Sequence, residues 1–394
     1  MPDSFDTLVD RRGTDSLKYD FAAKLGKPDD VLPLWVADMD FRSPPEVLSA
    51  LAERSAAGVF GYSDAANADY FTALAAWYQT RFGWTISPDW LIKTPGVVFA
   101  VSTAIRALTS EDDAVLIQPP VYYPFARSIR INRRRPIENE LVLADGRYGV
   151  DLVDFERKIV QNQVKLFILC SPHNPVGRVW TEDELAAMGD LCVKHGVLVV
   201  SDEIHGDFVF PGHRHRVFAN VKPAFAALSV TCTAPSKTFN LAGLQISNIL
   251  IPDADLRGKF HEEINRTGYS LPNLMGLAAC RAAYTHGAAW LDELKRYLTE
   301  NLRFIREFLA RETPKIRLIE PDGTYLLWLD CRALGMTDRA LDDWILHGAK
   351  LWLDAGPMFG AGGEGFQRIN IACPRPTLEC AMRRLKAAYD ALKP

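Results

Sequence analysis

Four segments of this chain carry residue types that can do covalent chemistry together. They are Thr94-Pro95-Gly96-Val97-Val98, Ser171-Pro172-His173-Asn174-Pro175-Val176-Gly177, Ser201-Asp202-Glu203-Ile204-His205 and Ala234-Pro235-Ser236-Lys237-Thr238-Phe239-Asn240. The Lys237 amine can form an imine with an aldehyde carbon. A carboxylate such as Asp202 can keep a pyridine nitrogen protonated, which makes the ring an electron sink. Asn174 can donate to a phenolate oxygen. A helix opening at Gly96 offers free N–H groups and a positive dipole end to a phosphate. Tyr122, in Pro119-Pro120-Val121-Tyr122-Tyr123-Pro124, can lie against a ring face. Together these uses describe one ligand, a phosphorylated pyridine aldehyde. Each residue alone has a plainer reading: Asp202 as a cap, Lys237 as a solvated lysine, Asn174-Pro175 as a turn, Tyr122 as packing. Their order and placement outweigh those readings.

Elements that can hold such groups in register are legible on either side. Short apolar runs at 114–117, 165–170, 197–201, 228–233 and 245–251 have the length and β-branched content of buried strands. The last three of the four segments named above directly follow such runs, and ligands of open parallel sheets bind beyond the strands' carboxyl ends. Helices are predicted from Ser43-Pro44-Pro45-Glu46, a capping box, to Gly58; over 68–82, stopped by Gly83; from Gly96; and from the capping box at Thr181 to Gly196. This alternation predicts an α/β fold with a mostly parallel sheet covered by helices. After about Asn273 the texture changes: helices to Glu312, then strand candidates at 316–320, 324–330, 351–354 and 366–372, with helices at 338–347 and 377–392. The domain reading is a large α/β unit at 46–286 and a smaller α+β unit made of 1–45 and 287–394.

Bulk properties narrow the function class. A chain of 394 residues exceeds one hydrophobic core. A net charge of −4 lacks the basic excess of a nucleic-acid binder. No apolar run approaches the ~20 residues that span a bilayer. The opening Met1-Pro2-Asp3-Ser4-Phe5-Asp6 has no secretion-signal character. The seven cysteines form no Cys-x-x-Cys pair and read as buried reduced thiols, which predicts a cytoplasmic protein.

The motifs together resemble fold type I pyridoxal-phosphate enzymes, the class I/II aminotransferase superfamily. Ser-Pro-His-Asn-Pro-Val-Gly, Ser-Asp-Glu-Ile-His, Ser-Lys-Thr-Phe-Asn and the Arg-Ile-Asn at Arg368 carry that likeness. Trp35-Val36-Ala37-Asp38-Met39-Asp40-Phe41, Gly58-Val59-Phe60-Gly61-Tyr62, Thr233-Ala234-Pro235 and Gly323-Thr324-Tyr325-Leu326-Leu327-Trp328 are similar to the MalY/PatB-type C–S lyase branch. The resemblance implies a large domain with a mostly parallel, seven-stranded-type sheet, and pyridoxal 5′-phosphate as cofactor. It implies that Lys237 is the Schiff-base lysine, Asp202 the pyridinium partner and Asn174 the phenolate contact. Gly96, Val97, Val98 and Ser236 fall at the phosphate, Tyr122 stacks on the ring as a catalytic-site residue, and His205 sits in the cofactor pocket. Arg368 clamps the substrate α-carboxylate, with Ala37, Asp38 and Asn174 beside the substrate. Tyr62 reaches the neighbouring subunit's cofactor, which implies a homodimer. The implied reaction is α,β-elimination from L-cystathionine or other cysteine S-conjugates, giving a thiol, pyruvate and ammonia.

Two positions depart from the wider aminotransferase pattern: His205 stands where many members have tyrosine, and Ala234 where many have serine. The alternatives are an aminotransferase, which uses the same lysine, aspartate and arginine, and a cofactor-binding regulatory protein. Other motifs read as empty. Gly360-Ala361-Gly362-Gly363-Glu364-Gly365 matches Gly-x-Gly-x-x-Gly but precedes a strand, so it is taken as a mobile turn beside Arg368. His213 and His215 are taken as part of a basic surface turn, not a metal site. Arg133-Arg134-Arg135 is read as solvated, and Trp328 and Trp352 as core.

Overall fold

The computed structural model describes residues 5–63 and 67–392. A seven-stranded sheet runs in the order Leu91–Thr94, Ser247–Leu250, Ser229–Thr233, Leu198–Asp202, Leu166–Cys170, Ala114–Ile117, Arg135–Glu138. Ser247–Leu250 is antiparallel to both neighbours, and every other pairing is parallel. Strand side chains alternate between two apolar layers. Val115, Ile117, Leu166 and Ile168 pack with Val101, Ile105, Phe125 and Phe260. Leu116, Phe167 and Leu169 pack with Phe155, Met188, Trp180 and Phe225 on the other face. Coverage on both faces explains why these strands read as continuous apolar runs.

The sequence reading missed the two edge strands. Leu-Ile-Lys-Thr at Leu91–Thr94 and Arg-Pro-Ile-Glu at Arg135–Glu138 are short and polar, and Pro136 is tolerated because its strand lies at the edge. The capping box at Thr181 forms as read, with Glu184 reciprocating, and opens the helix Glu182–His195. The one at Ser43 does not. That helix is Pro45–Ala56, Pro44 takes the cap position, and the Ser43 hydroxyl donates to the Asn240 carbonyl at 3.4 Å. Pro45 forces the residue before it out of the helical region, so Pro44 stays extended at ψ 139° and Ser43 falls one residue short of the cap position. The chain leaves the helix at Ala57, with Gly58 left-handed at φ 69°.

The second sheet has four antiparallel strands in the order Arg317–Leu318, Leu326–Asp330, Phe366–Asn370, Asp354–Ala355. It shares a core with the long helix Ala288–Glu312 and with Arg375–Asp390. Leu32–Pro33 pairs in parallel with Leu351–Trp352, so the N-terminal segment is tied to this part of the molecule. The predicted helix at 338–347 is α-helical only over Asp338–Asp343 and continues as a π-helical turn, Trp344–Gly348. The glycine-rich turn before Arg368 is packed, not loose. A Cβ on Gly356 would lie 1.9 Å from the Gly363 carbonyl oxygen, and Gly365 N–H donates to Asp338 at 2.7 Å. No helix among the described residues is long and apolar enough to cross a membrane.

Candidate functional site

The carboxyl ends of the central strands open onto a cavity of about 450 Å³. Its walls bring together Asn174, Asp202, Lys237 and the Gly96–Phe99 turn. Adjacent registers explain the convergence: Cys170 pairs with Asp202, and Asp202 with Cys232, so the loops that follow are neighbours.

Lys237 stands on the short helix Pro235–Thr238, which Thr238 anchors by donating to Asp207 at 2.8 Å. Its Nζ donates to the Ala37 carbonyl at 2.8 Å. Burial pulls the amine down to about 8; the Asp38 charge opposes that, Arg368 adds to it, and Asp202 opposes it. Asp202 is pushed up to about 7, chiefly by burial, although Ile204 N–H donates to it at 3.1 Å. A buried carboxylate with a single backbone donor lacks a cationic partner, and a pyridinium N–H is one. His205 is driven down to about 3 by burial and the nearby cations, so it is a neutral imidazole, and its buried Nδ1 has no hydrogen-bond partner.

The opposite wall is the start of the helix Val97–Leu108. Its first turn holds no acidic residue and its opening N–H groups have no side-chain cap. Thr94 braces the turn from behind, its Oγ1 sharing a hydrogen bond with Ser247 at 2.6 Å and donating to Gly96 O at 3.3 Å. Tyr122 completes the cavity, half-buried against Phe125 in an edge-to-face contact.

Arg368 lies behind Asn174, on the strand Phe366–Asn370. Its Nη1 donates to Asn174 Oδ1 at 3.0 Å and its Nη2 to the Trp35 carbonyl at 2.8 Å. Asp354 on the neighbouring strand makes the ion pair, and the Phe359 ring lies 5.0 Å from the guanidinium. The buried Nε has no partner, leaving a donor for an incoming carboxylate. Because Arg368 occupies the Asn174 oxygen, the Asn174 amide N–H groups are the part left for a ligand.

These residues fit pyridoxal 5′-phosphate: an amine for the aldehyde, an acid for the ring nitrogen, donors for phenolate and phosphate, and an orphaned imidazole nitrogen. Residues 29–385 match the model of the class I and II aminotransferases. Cystathionine beta-lyase PatB of Bacillus subtilis is 46% identical, over 98% of this chain and 100% of that protein. Protein MalY of Escherichia coli is 36% identical over 99% of each. The chain belongs to the PatB/MalY branch of the class I and II aminotransferase family. Cystalysin from Treponema denticola, whose crystal structure contains pyridoxal 5′-phosphate, superposes with a TM-score of 0.95 at 38% identity over 99% of each chain. The cofactor of this PatB/MalY-branch chain is pyridoxal 5′-phosphate.

Of the residues singled out in the sequence of this branch member, Ala37, Gly96, Val97, Val98, Tyr122, Asn174, Asp202, His205, Ser236 and Lys237 line the cavity. Arg368 joins it through Asn174. Asp38 does not line it. Its carboxylate pairs with Arg11 at 2.6 Å. Tyr62 is 98% exposed and does not line this chain's cavity. His215 is not on a surface turn: it is buried and paired with Glu203 at 2.8 Å. Sequence reasoning missed Asp354 and Tyr325. The Tyr325 hydroxyl donates to the same Ala37 carbonyl at 2.9 Å. Tyr325 lay in a motif already noted, but only the fold shows that it meets Ala37.

Proposed function

We propose that this chain is a pyridoxal-phosphate carbon–sulfur β-lyase that eliminates a thiol from L-cystathionine or related cysteine S-conjugates. Cystathionine and water give homocysteine, pyruvate and ammonia. One observation carries the reading: the Lys237 amine, the Asp202 carboxylate and the Asn174-bound Arg368 guanidinium meet around one buried cavity. The bound cofactor supplies an aldehyde for an amine and a ring that accepts the electron pair left at the α-carbon.

Arg368 binds the substrate carboxylate through Nε and fixes which face of the α-carbon meets Lys237. Asp202 holds the ring nitrogen protonated. Lys237 Nζ takes the α-proton, and burial favours the neutral amine that this requires. The resulting ammonium can pass its proton to the departing sulfur. Ala37 O and Tyr325 give that nitrogen a fixed place when it is not bound to cofactor. Tyr122 lines the cavity and offers its ring to the face of the cofactor.

The neighbouring reading is transamination, which the same residues serve. Incubation with cystathionine and no keto-acid acceptor separates the two. The lyase produces stoichiometric pyruvate and thiol over many turnovers. Conversion that stops after one turnover unless a keto acid is added would overturn the proposal.

The assembly we infer is a homodimer in the cytoplasm. Val59, Phe60 and Tyr62 are 69%, 62% and 98% exposed in the single chain, a run of large apolar groups that favours cover by a second copy. Tyr62 would then complete the neighbouring cofactor site. In this reading the chain divides into a large unit, 46–286, and a smaller one made of 1–45 and 287–394.

A further inference from the structure

Residues 11–40 reach the cavity at Ala37, whose carbonyl receives Lys237. They carry a charge cluster that the reaction described above does not use. Asp40, buried, accepts from Lys18 Nζ at 2.8 Å, Arg11 Nη1 at 2.8 Å and the Tyr19 hydroxyl at 3.0 Å. Lys18 is fully buried, although its ammonium is among the most costly groups to remove from water. Asp38 pairs with Arg11 at 2.6 Å. Its other oxygen, buried and without a hydrogen-bond donor, faces Lys18 Nζ at 3.8 Å.

Arg11 and Lys18 thus balance Asp38 and Asp40, one residue from the carbonyl that receives Lys237. The backbone between them is held separately. Asn240, left-handed at φ 58° just after the lysine helix, accepts from Met39 N–H at 3.0 Å and donates to Phe41 O at 2.8 Å. Asn370, two residues after Arg368, donates to the Val36 and Asp38 carbonyls at 2.6 and 2.7 Å. The main chain is therefore anchored from the lysine side and from the arginine side without the carboxylates. A partly buried cluster of four charges is not needed to hold it, and apolar replacements of buried ion pairs often cost nothing in stability.

We propose that Arg11, Lys18, Asp38 and Asp40 form an electrostatic collar, in which Asp38 is a positioning residue that acts through Ala37 and its own charge on the Lys237 nitrogen. The collar's balance sets how readily that nitrogen holds a proton. Other charged and titratable groups face the same two places. Around Lys237 are Asp202, His205, Arg368 and the hydroxyls of Tyr325 and Tyr122; around Asp40 are Tyr19 and Cys373. Tyr325, Tyr19 and Cys373 sense the collar charges, but burial is the main cause that pushes all three up, so they stay neutral when the collar alone is altered. The sign follows from Coulomb's law. Removing the Asp38 charge leaves the cations in excess and makes Lys237 release its proton more easily. Removing Arg11 leaves Asp38 uncompensated and has the opposite effect.

This inference rests on the reading of Lys237 as the cofactor-binding lysine. The test is the pH titration of the cofactor's visible absorbance in the loaded enzyme, for wild type, Asp38→Asn and Arg11→Gln. The midpoint is expected to fall in Asp38→Asn and to rise in Arg11→Gln, each by ~1 pH unit, the shift that ~1.4 kcal/mol of altered charge–charge interaction produces. Asp38→Asn keeps the shape of the side chain, and the melting temperature of each variant reports folding separately. Coincident midpoints, or shifts of the same sign in both variants, would overturn the collar. Absence of any visible band in the loaded wild type would instead overturn the cofactor reading on which it stands.

Discussion

Lys237 and Asp202 share a cavity that draws their proton affinities together, one down to about 8 and the other up to about 7. Without cofactor this is a liability. The Asp202 carboxyl ionises near 3.8 when unfolded and near 7 when folded, so between those values the folded state binds the extra proton. Stability contributed by neutral Asp202 is present at acid pH and lost as pH rises through 7. Cofactor-free protein should therefore lose melting temperature from about pH 4 to 7, and Asp202→Asn should flatten that slope; an equal slope in both would contradict the assignment. Arg368→Ala should raise KM about 10- to 100-fold. It should also destabilise the fold by ~3–5 kcal/mol, because Asp354 is left buried without its partner. An unchanged KM would remove Arg368 from substrate binding. The residue types of the site were legible because lysine, aspartate and asparagine each follow an apolar run. Asp354 was not, since nothing in Leu-Trp-Leu-Asp shows which arginine it faces. The pairing of Asp38 with Arg11 was illegible for the related reason that the two lie far apart in sequence.

The elements that hold these residues are read from sequence where they are buried or capped, and missed where they are edges. The helix Ala68–Phe82 has the predicted bounds because Asn67 caps its start and left-handed Gly83 ends it. The central strands differ from their apolar runs by at most two residues at an end, and Ala114–Ile117 matches its run at both. Edge strands carry no such run, and the Ser43 box failed because Pro45 holds Pro44 extended and moves the helix start one residue on. Two substitutions test the element scale. Thr181→Ala removes a reciprocal cap and should cost about 1 kcal/mol, with no effect on KM; a change in KM would tie that helix to the site. Gly356→Ala meets the Gly363 backbone and should disturb the turn that leads into the arginine strand. It should raise KM with little change in the absorbance of bound cofactor; a normal KM would show that the turn does not position Arg368.

Across the whole molecule, the single chain presents a cofactor cavity complete on its lysine, aspartate and arginine sides, with an exposed Tyr62 elsewhere. If a second copy supplies that tyrosine, Lys237→Ala and Tyr62→Ala proteins, each poorly active, should regain activity when refolded together, because hybrid dimers contain one site with both groups. No gain on mixing would argue that Tyr62 serves no neighbouring site. The central claim is the covalent link at Lys237, and it can be read directly. Borohydride reduction of the loaded protein followed by peptide mass mapping should place a single pyridoxyl phosphate on the peptide containing Lys237, and Lys237→Ala should carry none. A label on another lysine in the wild type, or an undiminished label in the variant, would contradict the account.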